Sequence, residues 1–221
     1  MPQGVVGFVS QGNVCAEIFM SESRRHGEQL AATIQTVLEQ SQKTFADIQG
    51  IIIGTGPGSF VGVRVAMSTG KGIGLARQIP VWGVSTLSAL AFQSRAPAKT
   101  KIVSLIDARR AQGYVQSFDF SGEDIVADTP RAIDPEALPS YCADAHGVVG
   151  NGLFLLDETA DLECARQEWM GPSVIGLWDA FKARCGHQLL DNEIHHLVPE
   201  YIRPPDAKRP KVAPDYSLTS S

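Results

Sequence analysis

The feature that most constrains the fold is an apolar run that ends in a glycine-rich loop. Ile51-Ile52-Ile53 is followed by Gly54-Thr55-Gly56-Pro57-Gly58 and then, after Ser59, by a helix-compatible segment. Three successive β-branched residues predict a strand buried on both faces, as in a parallel sheet. The glycines permit a sharp turn, and Ser59 is a suitable N-cap for a helix from Phe60 to about Gln78. We therefore predict an α/β fold.

The same loop is a candidate anion site, since backbone N–H groups at a helix N-terminus favour negative charge. Its residues are Gly56, Pro57, Gly58 and Ser59. The spacing matches neither G-x-x-x-x-G-K-[ST] nor G-x-G-x-x-G, and the loop has no lysine. Because G-x-S-x-G is also absent, N-capping explains Ser59 more simply than nucleophilic catalysis. The sequence leaves open a plain strand-to-helix connection or a residual anion loop.

The remaining pattern predicts two rounds of hairpin followed by helix. In the first round, two strands and a helix precede the glycine loop, and a strand and a helix follow it: Val5–Val9, Val14–Met20, Gly27–Gln40, Pro80–Val84 and Thr86–Ser94. The second round has two strands around a turn, a further strand with loops, a short strand and a helix: Ile102–Ile106, Gly113–Phe120, 123–139, Gly147–Gly150 and Gly171–Arg184. We predict subdomains at 1–98 and 99–206, with a disordered tail at 207–221.

The helix after the loop carries a small residue at every fourth position: Gly62, Ala66, Gly70 and Gly74. Glycine inside a helix costs about 1 kcal/mol relative to alanine, so several glycines in one helix indicate a close approach of another element. One alternative packs this stripe on the protein's own sheet or on the helix over Gly27–Gln40. The other places it against a helix of another chain. The sequence does not choose between them.

Composition and titratable residues give few signs of catalysis. A net charge of −5 argues against autonomous nucleic-acid binding, and the scattered cysteines and the lack of a leader or spanning segment predict a cytoplasmic protein with free thiols. The histidines lack metal-ligand spacing, so no metal site is predicted. Asp107 follows an apolar strand, where an acid can hold a metal–nucleotide complex, but it also suits a hairpin turn. Arg109-Arg110 favours a solvated turn over a phosphate clamp.

Two long runs resemble the TsaB family, also called YeaZ. They are Gly56–Arg64, which Gly70-Lys71-Gly72 follows, and Ile79–Leu87. Shorter matches are Arg25–Leu30, Ile106–Arg110 with Tyr114, and Tyr201–Lys208. The resemblance covers nearly the whole chain in the family's order.

The resemblance implies the duplicated, ribonuclease H-like fold of actin, Hsp70 and sugar kinases. It implies a non-catalytic subunit that activates the metal-bearing TsaD subunit, together with the ATPase TsaE, in making threonylcarbamoyladenosine beside the anticodon of ANN-decoding tRNAs. Contact with tRNA would be indirect, and ATP would bind only at a shared interface. Heterodimers or homodimers would form through N-terminal helices, at His26, Leu30, Ile34, Phe60, Gly62, Arg64, Ala66, Gly70 and Gly74.

One departure from the family pattern concerns the N-terminus. Family members open with a strand that ends in Asp-Thr or Asp-Ser, whereas this sequence begins with the hairpin near Val5. Either the start of this sequence is misplaced, or the first strand is missing and a neighbouring molecule or a rearranged sheet has to cover the open edge. There are two alternative functions. One is an ATP-binding or kinase-like enzyme of the same fold, and the lack of a standard phosphate-binding motif counts against it. The other is an M22-type peptidase, and the lack of a pair of metal-ligating histidines counts against it.

Overall fold

A computed structural model shows a mixed α/β fold. It describes residues 4–20, 26–94, 100–122, 124–156, 164–186 and 190–203, with the side chains of residues 26–28 excepted. In the first half, the described elements are β1 (Gly4–Ser10), β2 (Asn13–Met20), α1 (His26–Gln40), β3 (Ile51–Gly56), α2 (Phe60–Arg77), β4 (Val81–Ser85) and α3 (Thr86–Gln93). Each of these elements was predicted from the sequence to within three residues at either end.

The second half is less regular. Its described elements are β5 (Lys101–Asp107), β6 (Gly113–Asp119), β7 (Val126–Ala127), β8 (Arg131–Ile133), α4 (Leu138–Cys142), β9 (Gly147–Gly150), β10 (Ala165–Glu168) and α5 (Val174–Cys185). The predictions for β5, β6 and β9 are confirmed. The last helix begins later than predicted, because Ser173 accepts a hydrogen bond from the Gly176 N–H and caps it. Sequence reasoning missed β10 and α4.

The described strands form three sheets. β1 and β2 pair antiparallel, and β3 and β4 pair parallel as a separate two-stranded sheet. The larger sheet has the order β10-β9-β5-β6, with β7 and β8 both paired to β6. In it, β5 is antiparallel to β6 and parallel to β9. The β1–β2 turn consists of Gln11 and Gly12, which both have positive φ, as tight type I′ hairpin turns require.

Helices α3 and α5 pack against each other in the middle of the molecule. Leu87 and Leu90 of α3 join the core of the larger sheet, whereas Phe181 of α5 packs with Trp82 of β4. The contact is close because Gly176 lies where a Cβ atom would be 2.4 Å from the Ala89 carbonyl oxygen. Helices α1 and α2 cover the other side of the first-half strands, with α1 on β1 and β2 and α2 on β3.

The segment 190–200 returns from the second half of the sequence to cover the outer edge of β4. The Val81 N–H donates to Asn192 Oδ1 at 3.0 Å, and the Gly83 N–H donates to Glu193 Oε2 at 2.8 Å. This segment and α5, although they follow the second half in sequence, therefore pack against the strands of the first half. The proposed subdomain limits stay predictions, and both residues 95–99 and the tail lie outside the described residues.

All four cysteines are free thiols. In the described part of the chain, no helix combines the length and apolar character needed to cross a bilayer.

Candidate functional site

The glycine loop forms a tight connection between β3 and α2. Gly56 has a φ of 103°, which glycine adopts readily, and it is buried with Pro57. Ser59 Oγ accepts a hydrogen bond from the Gly62 N–H at 3.3 Å, so the predicted N-cap is confirmed. Gly58 is exposed. The predicted connection is present, and the anion-binding role of the loop stays a prediction.

Glu200 lies behind this loop. Its N–H donates to the Thr55 carbonyl oxygen at 2.8 Å, and its carbonyl oxygen lies close to Gly56. Burial raises the pKa of the Glu200 carboxyl, and a hydrogen bond with Ser85 only partly opposes that rise. A segment that is distant in sequence, at Glu200, thus holds the start of the loop in place.

An apolar cleft of about 190 Å³ opens beside the loop. Residues from all three sheets, from helices α1, α2, α3 and α5 and from the glycine loop line it, including Val5, Leu30, Gly54, Ser59 and Ile106. No described residue of its lining is charged. A phosphate group would therefore find backbone N–H groups and a serine hydroxyl there but no lysine or arginine, so the cleft gives no support to a kinase-like alternative.

Asp107 lies at the end of β5 and is engaged in its own turn. Its Oδ1 accepts a hydrogen bond from the Arg109 N–H at 2.7 Å, and its N–H donates to Asn151 Oδ1 at 3.0 Å. This geometry matches the turn interpretation. Asn151 also lines the apolar cleft and was not singled out from the sequence. Asn151 is distant from Asp107 in sequence and reaches it only in the folded chain, so no local sequence pattern predicts this contact.

The turn after Asp107 has an unusual backbone. Arg109, Arg110 and Ala111 all have φ between 53° and 62°. Left-handed conformations cost a residue with a Cβ atom about 1 kcal/mol or more each, so the surroundings must hold this turn in place. Arg203 does so, since its guanidinium donates to Gln112 Oε1 at 2.8 Å and to the Ala108 carbonyl oxygen at 3.1 Å.

The small-residue stripe of α2 faces the protein's own sheet. Gly70 and Gly74 are buried, and a Cβ atom would lie 2.5 Å from Ile53 Cδ1 at Gly70 and 2.3 Å from Val81 Cγ2 at Gly74. The expectation that these two glycines contact a partner therefore needs correction. They allow α2 to approach β3 and β4, which is the first of the two alternatives that the sequence left open.

The opposite face of α2 is exposed. Val61, Ser68 and Leu75 repeat every seven residues along it, and Gly72 lies between the last two. Val61 is 57% exposed and Leu75 is 59% exposed, and a Cβ atom at Gly72 would have no neighbour within 4 Å. We call these four residues the outer row of α2. Sequence reasoning singled out none of them as partner contacts, because their helical phase becomes clear only once the sheet is placed.

An aromatic cluster continues this surface at the start of α2. Arg64 lies over the Phe60 ring at 3.6 Å from its centroid, and its Nε donates to the Tyr201 hydroxyl at 2.8 Å. Phe60 and Tyr201 are each about half exposed, at 51% and 50%. Of the nine residues predicted to contact a partner, Phe60 and Arg64 are therefore the accessible ones on α2.

The other predicted contacts lie further inside. Leu30 and Ile34 are half-buried on α1, and Leu30 lines the apolar cleft. Gly62 is half-buried in the first turn of α2, and Ala66 packs against the core formed by Ile53 and its neighbours. The side chain of His26 lies outside the described residues. Among the described residues, no three His, Cys, Asp or Glu side chains lie close enough together to hold a metal ion.

Comparison with known proteins places the chain in a family. The sequence profile described as TsaD, tRNA N6-adenosine threonylcarbamoyltransferase, matches residues 13–139, which is more than half of the chain. The chain belongs to this family. The profile reaches from β2 through the glycine loop, α2 and the β5–β6 turn to α4.

Individual proteins are also similar to this chain. The chain is 35% identical over 135 residues to the Escherichia coli tRNA threonylcarbamoyladenosine biosynthesis protein TsaB, covering 58% of each protein. It is also 35% identical over 195 residues to an uncharacterized Mycobacterium bovis protein, covering 88% of this chain and 83% of that one. The resemblance to TsaB-named proteins is thus confirmed.

A solved structure supports the fold. A Pseudomonas aeruginosa protein described as similar to peptidase YeaZ superposes with a TM-score of 0.72 and 23% identity, covering 90% of this chain and 94% of that chain. At this identity the likeness concerns the fold alone.

Proposed function

We propose that this chain is a non-catalytic partner subunit in the synthesis of threonylcarbamoyladenosine in tRNA. It binds and stabilises a TsaD-type catalytic subunit and works with a TsaE-type ATPase, and it meets tRNA only through that complex. The name of the E. coli relative supports the pathway. The outer row of α2 is the observation that supports partner binding.

The outer row suits a helix of another protein. Its members repeat at helical spacing on one line, and Val61 and Leu75 leave large apolar side chains in water. Gly72 lets a neighbouring backbone approach α2 closely, because no side chain stands between them. Phe60 and Arg64 extend the surface with an aromatic ring and a cation, residue types that frequently dominate interface energies.

Co-purification with a TsaD-type subunit tests this assignment. Gly72→Arg places a long charged side chain in the middle of the outer row, and it improves helix propensity, so the isolated chain should stay folded. We expect affinity for the catalytic subunit to fall roughly 30-fold or more, as an unpaired charge at an interface costs about 2 kcal/mol or more. Val126→Arg is the matched control, since Val126 is 67% exposed on β7.

Retained affinity in a folded Gly72→Arg variant would contradict the interface assignment. The activity itself is tested by reconstituting the tRNA modification with and without this chain and measuring the modified nucleoside by mass spectrometry. We expect little product without it. Product formation that does not depend on this chain would overturn the proposed function.

We also infer that the fold is the duplicated, actin-like kind. Each half has an antiparallel hairpin followed by a helix and then by two parallel strands, and ends in a helix, α3 or α5, that packs on the other. The order of elements supports a duplication even though the two halves differ in length.

A further inference from the structure

The aromatic cluster at the start of α2 holds one guanidinium in a defined orientation. The ring centroids of Phe60 and Tyr201 lie 5.9 Å apart. The guanidinium carbon of Arg64 lies 3.6 Å from the Phe60 centroid and 5.7 Å from the Tyr201 centroid, and both distances are typical of cation–π contacts. Arg64 Nε also donates a hydrogen bond to the Tyr201 hydroxyl. Phe60 and Tyr201 therefore orient this guanidinium together.

These contacts use one of the hydrogen-bond donors of Arg64. An arginine side chain carries five N–H donors, and four of them belong to the terminal nitrogens Nη1 and Nη2. In the part of the chain that the structure describes, no oxygen accepts a hydrogen bond from these two nitrogens, and no carboxylate forms an ion pair with Arg64. Arg184, by contrast, pairs with Glu193. Arg64 is thus an exposed, oriented cation that meets no acidic side chain among the described residues.

Arg64 lies at the edge of the outer row of α2. Val61 precedes it by three residues and Ser68 follows it by four, and residues at these spacings are neighbours on a helix surface. A protein bound to the outer row therefore reaches Nη1 and Nη2 of Arg64 at the border of the contact, where interfaces are typically polar.

The surroundings of Arg64 indicate which anion it binds. The planar fork of a guanidinium matches a carboxylate or a phosphate group, but binding to a nucleic-acid backbone depends on several cations. Lys71, the next cation along α2, donates to the Leu197 carbonyl oxygen at 2.6 Å. Arg203, two residues after Tyr201, is engaged with the β5–β6 turn. A single carboxylate is therefore the better match for Arg64.

We propose that Arg64 binds the carboxylate of an aspartate or glutamate on the partner subunit, and that Tyr201 is the positioning residue that orients the Arg64 guanidinium. The identity of the partner rests on the proposed function. The acidic residue lies beside the side chains of the partner that pack on Val61, because Val61 is one turn from Arg64. Apolar contacts along the outer row tolerate sliding of one helix on another, whereas an ion pair at one position fixes their register.

Affinity for a TsaD-type subunit, measured with the full chain at low and high salt, tests this proposal. Arg64→Met keeps a long side chain and a high helix propensity but removes the charge. We expect it to bind about 30-fold more weakly at low salt and to lose most of the salt dependence of binding. Arg64→Lys keeps the charge without the fork, so its affinity should be intermediate. Arg109→Met is the matched control and should bind like the native chain, since the Arg109 side chain is 67% exposed on the β5–β6 turn.

A double-mutant cycle tests the role of Tyr201. Tyr201→Phe keeps the ring and removes only the hydroxyl that accepts the hydrogen bond from Arg64 Nε. It should weaken binding roughly threefold to tenfold in the native chain and have almost no effect in the Arg64→Met background. An equal effect in both backgrounds would show that Tyr201 does not act through Arg64, and it would overturn the positioning role.

Charge exchange identifies the carboxylate. Arg64→Asp should bind more weakly than Arg64→Met, and replacing one surface aspartate or glutamate of the catalytic subunit by arginine should restore its affinity at least roughly tenfold. The proposal is overturned if no such exchange restores binding, or if Arg64→Met binds as tightly as the native chain. In that case the proposed function still stands as long as Gly72→Arg weakens binding. If neither variant weakens binding, the interface assignment fails as well.

Discussion

Two glycines of α2 provide the sharpest test of how this helix is used. Gly72 and Gly74 lie two residues apart in one helix, yet their surroundings are opposite. A Cβ atom at Gly72 would meet nothing within 4 Å, whereas at Gly74 it would lie 2.3 Å from Val81 Cγ2 and 3.2 Å from Ile194 Cδ1. We therefore predict that Gly72→Ala stabilises the protein and that Gly74→Ala destabilises it.

The magnitudes follow from two opposing effects. Replacing glycine by alanine in a helix contributes about 1 kcal/mol of stability at either position. At Gly74 the added methyl group overpacks a core in which Val81 is fully buried and stiff about χ1, which costs about 1–3 kcal/mol. The expected net changes are a gain of about 1 kcal/mol for Gly72→Ala and a loss of up to about 2 kcal/mol for Gly74→Ala. For a chain of this length, these correspond to a rise of about 3 °C and a fall of up to about 6 °C in unfolding midpoint.

Urea and thermal unfolding of both variants measure these changes, and a double-mutant cycle tests the cause. Val81→Ala removes the group that the new methyl would strike, so Gly74→Ala should cost less in that background than in the native chain. If Gly74→Ala stabilises as much as Gly72→Ala, or if its effect is the same in both backgrounds, the packing argument for the buried stripe is refuted.

Three further predictions concern single contacts around the glycine loop and the β5–β6 turn. Ser59→Ala removes the cap of α2 and should lower stability by about 1 kcal/mol in urea unfolding, while Ser59→Asp should largely preserve it. Burial raises the pKa of the Glu200 carboxyl, so its charged form destabilises the folded state above the folded-state pKa, and this penalty disappears as the pH falls below the pKa of the unfolded state. Glu200→Gln should therefore raise the unfolding midpoint near about pH 7 and give no gain near about pH 4. A gain that is independent of pH would contradict this assignment. Arg203→Met should release the strained turn, so that trypsin cleaves after Arg109 or Arg110 faster than in the native chain, and unchanged cleavage would show that Arg203 does not hold it.

The elements with a strong local pattern could be predicted from the sequence. Each of these patterns lies within a few residues: the apolar run Ile51–Ile53, the apolar repeat of α1 and the hairpins. Ser59, as an N-cap residue, predicted the start of α2. The strand β10 could not be predicted in this way. Its residues, Ala165-Arg166-Gln167-Glu168, are all exposed at the sheet edge, so no apolar alternation marks them.

The candidate site shows a different limit. Sequence spacing identified the small-residue stripe of α2, but it could not say which side of the helix meets the sheet. That choice depends on Ile53 and Val81, which lie on separate strands. The same holds for Asn151, whose amide oxygen meets the backbone of Asp107 only after β5 and β9 have paired. Contacts between distant segments leave no periodic trace in a single sequence.

The two faces of α2 therefore need separate experiments. The buried stripe at Gly70 and Gly74 holds the helix against β3 and β4, and the outer row with Gly72 is open to a partner. A large side chain at Gly74 would weaken partner binding by unfolding the helix, and such a result would say nothing about the interface. A large side chain at Gly72 leaves the buried contacts intact, so loss of binding there reports on the partner surface alone. Variants of these two glycines, measured for both stability and affinity, thus distinguish a residue that packs α2 against the sheet from a residue that contacts the partner.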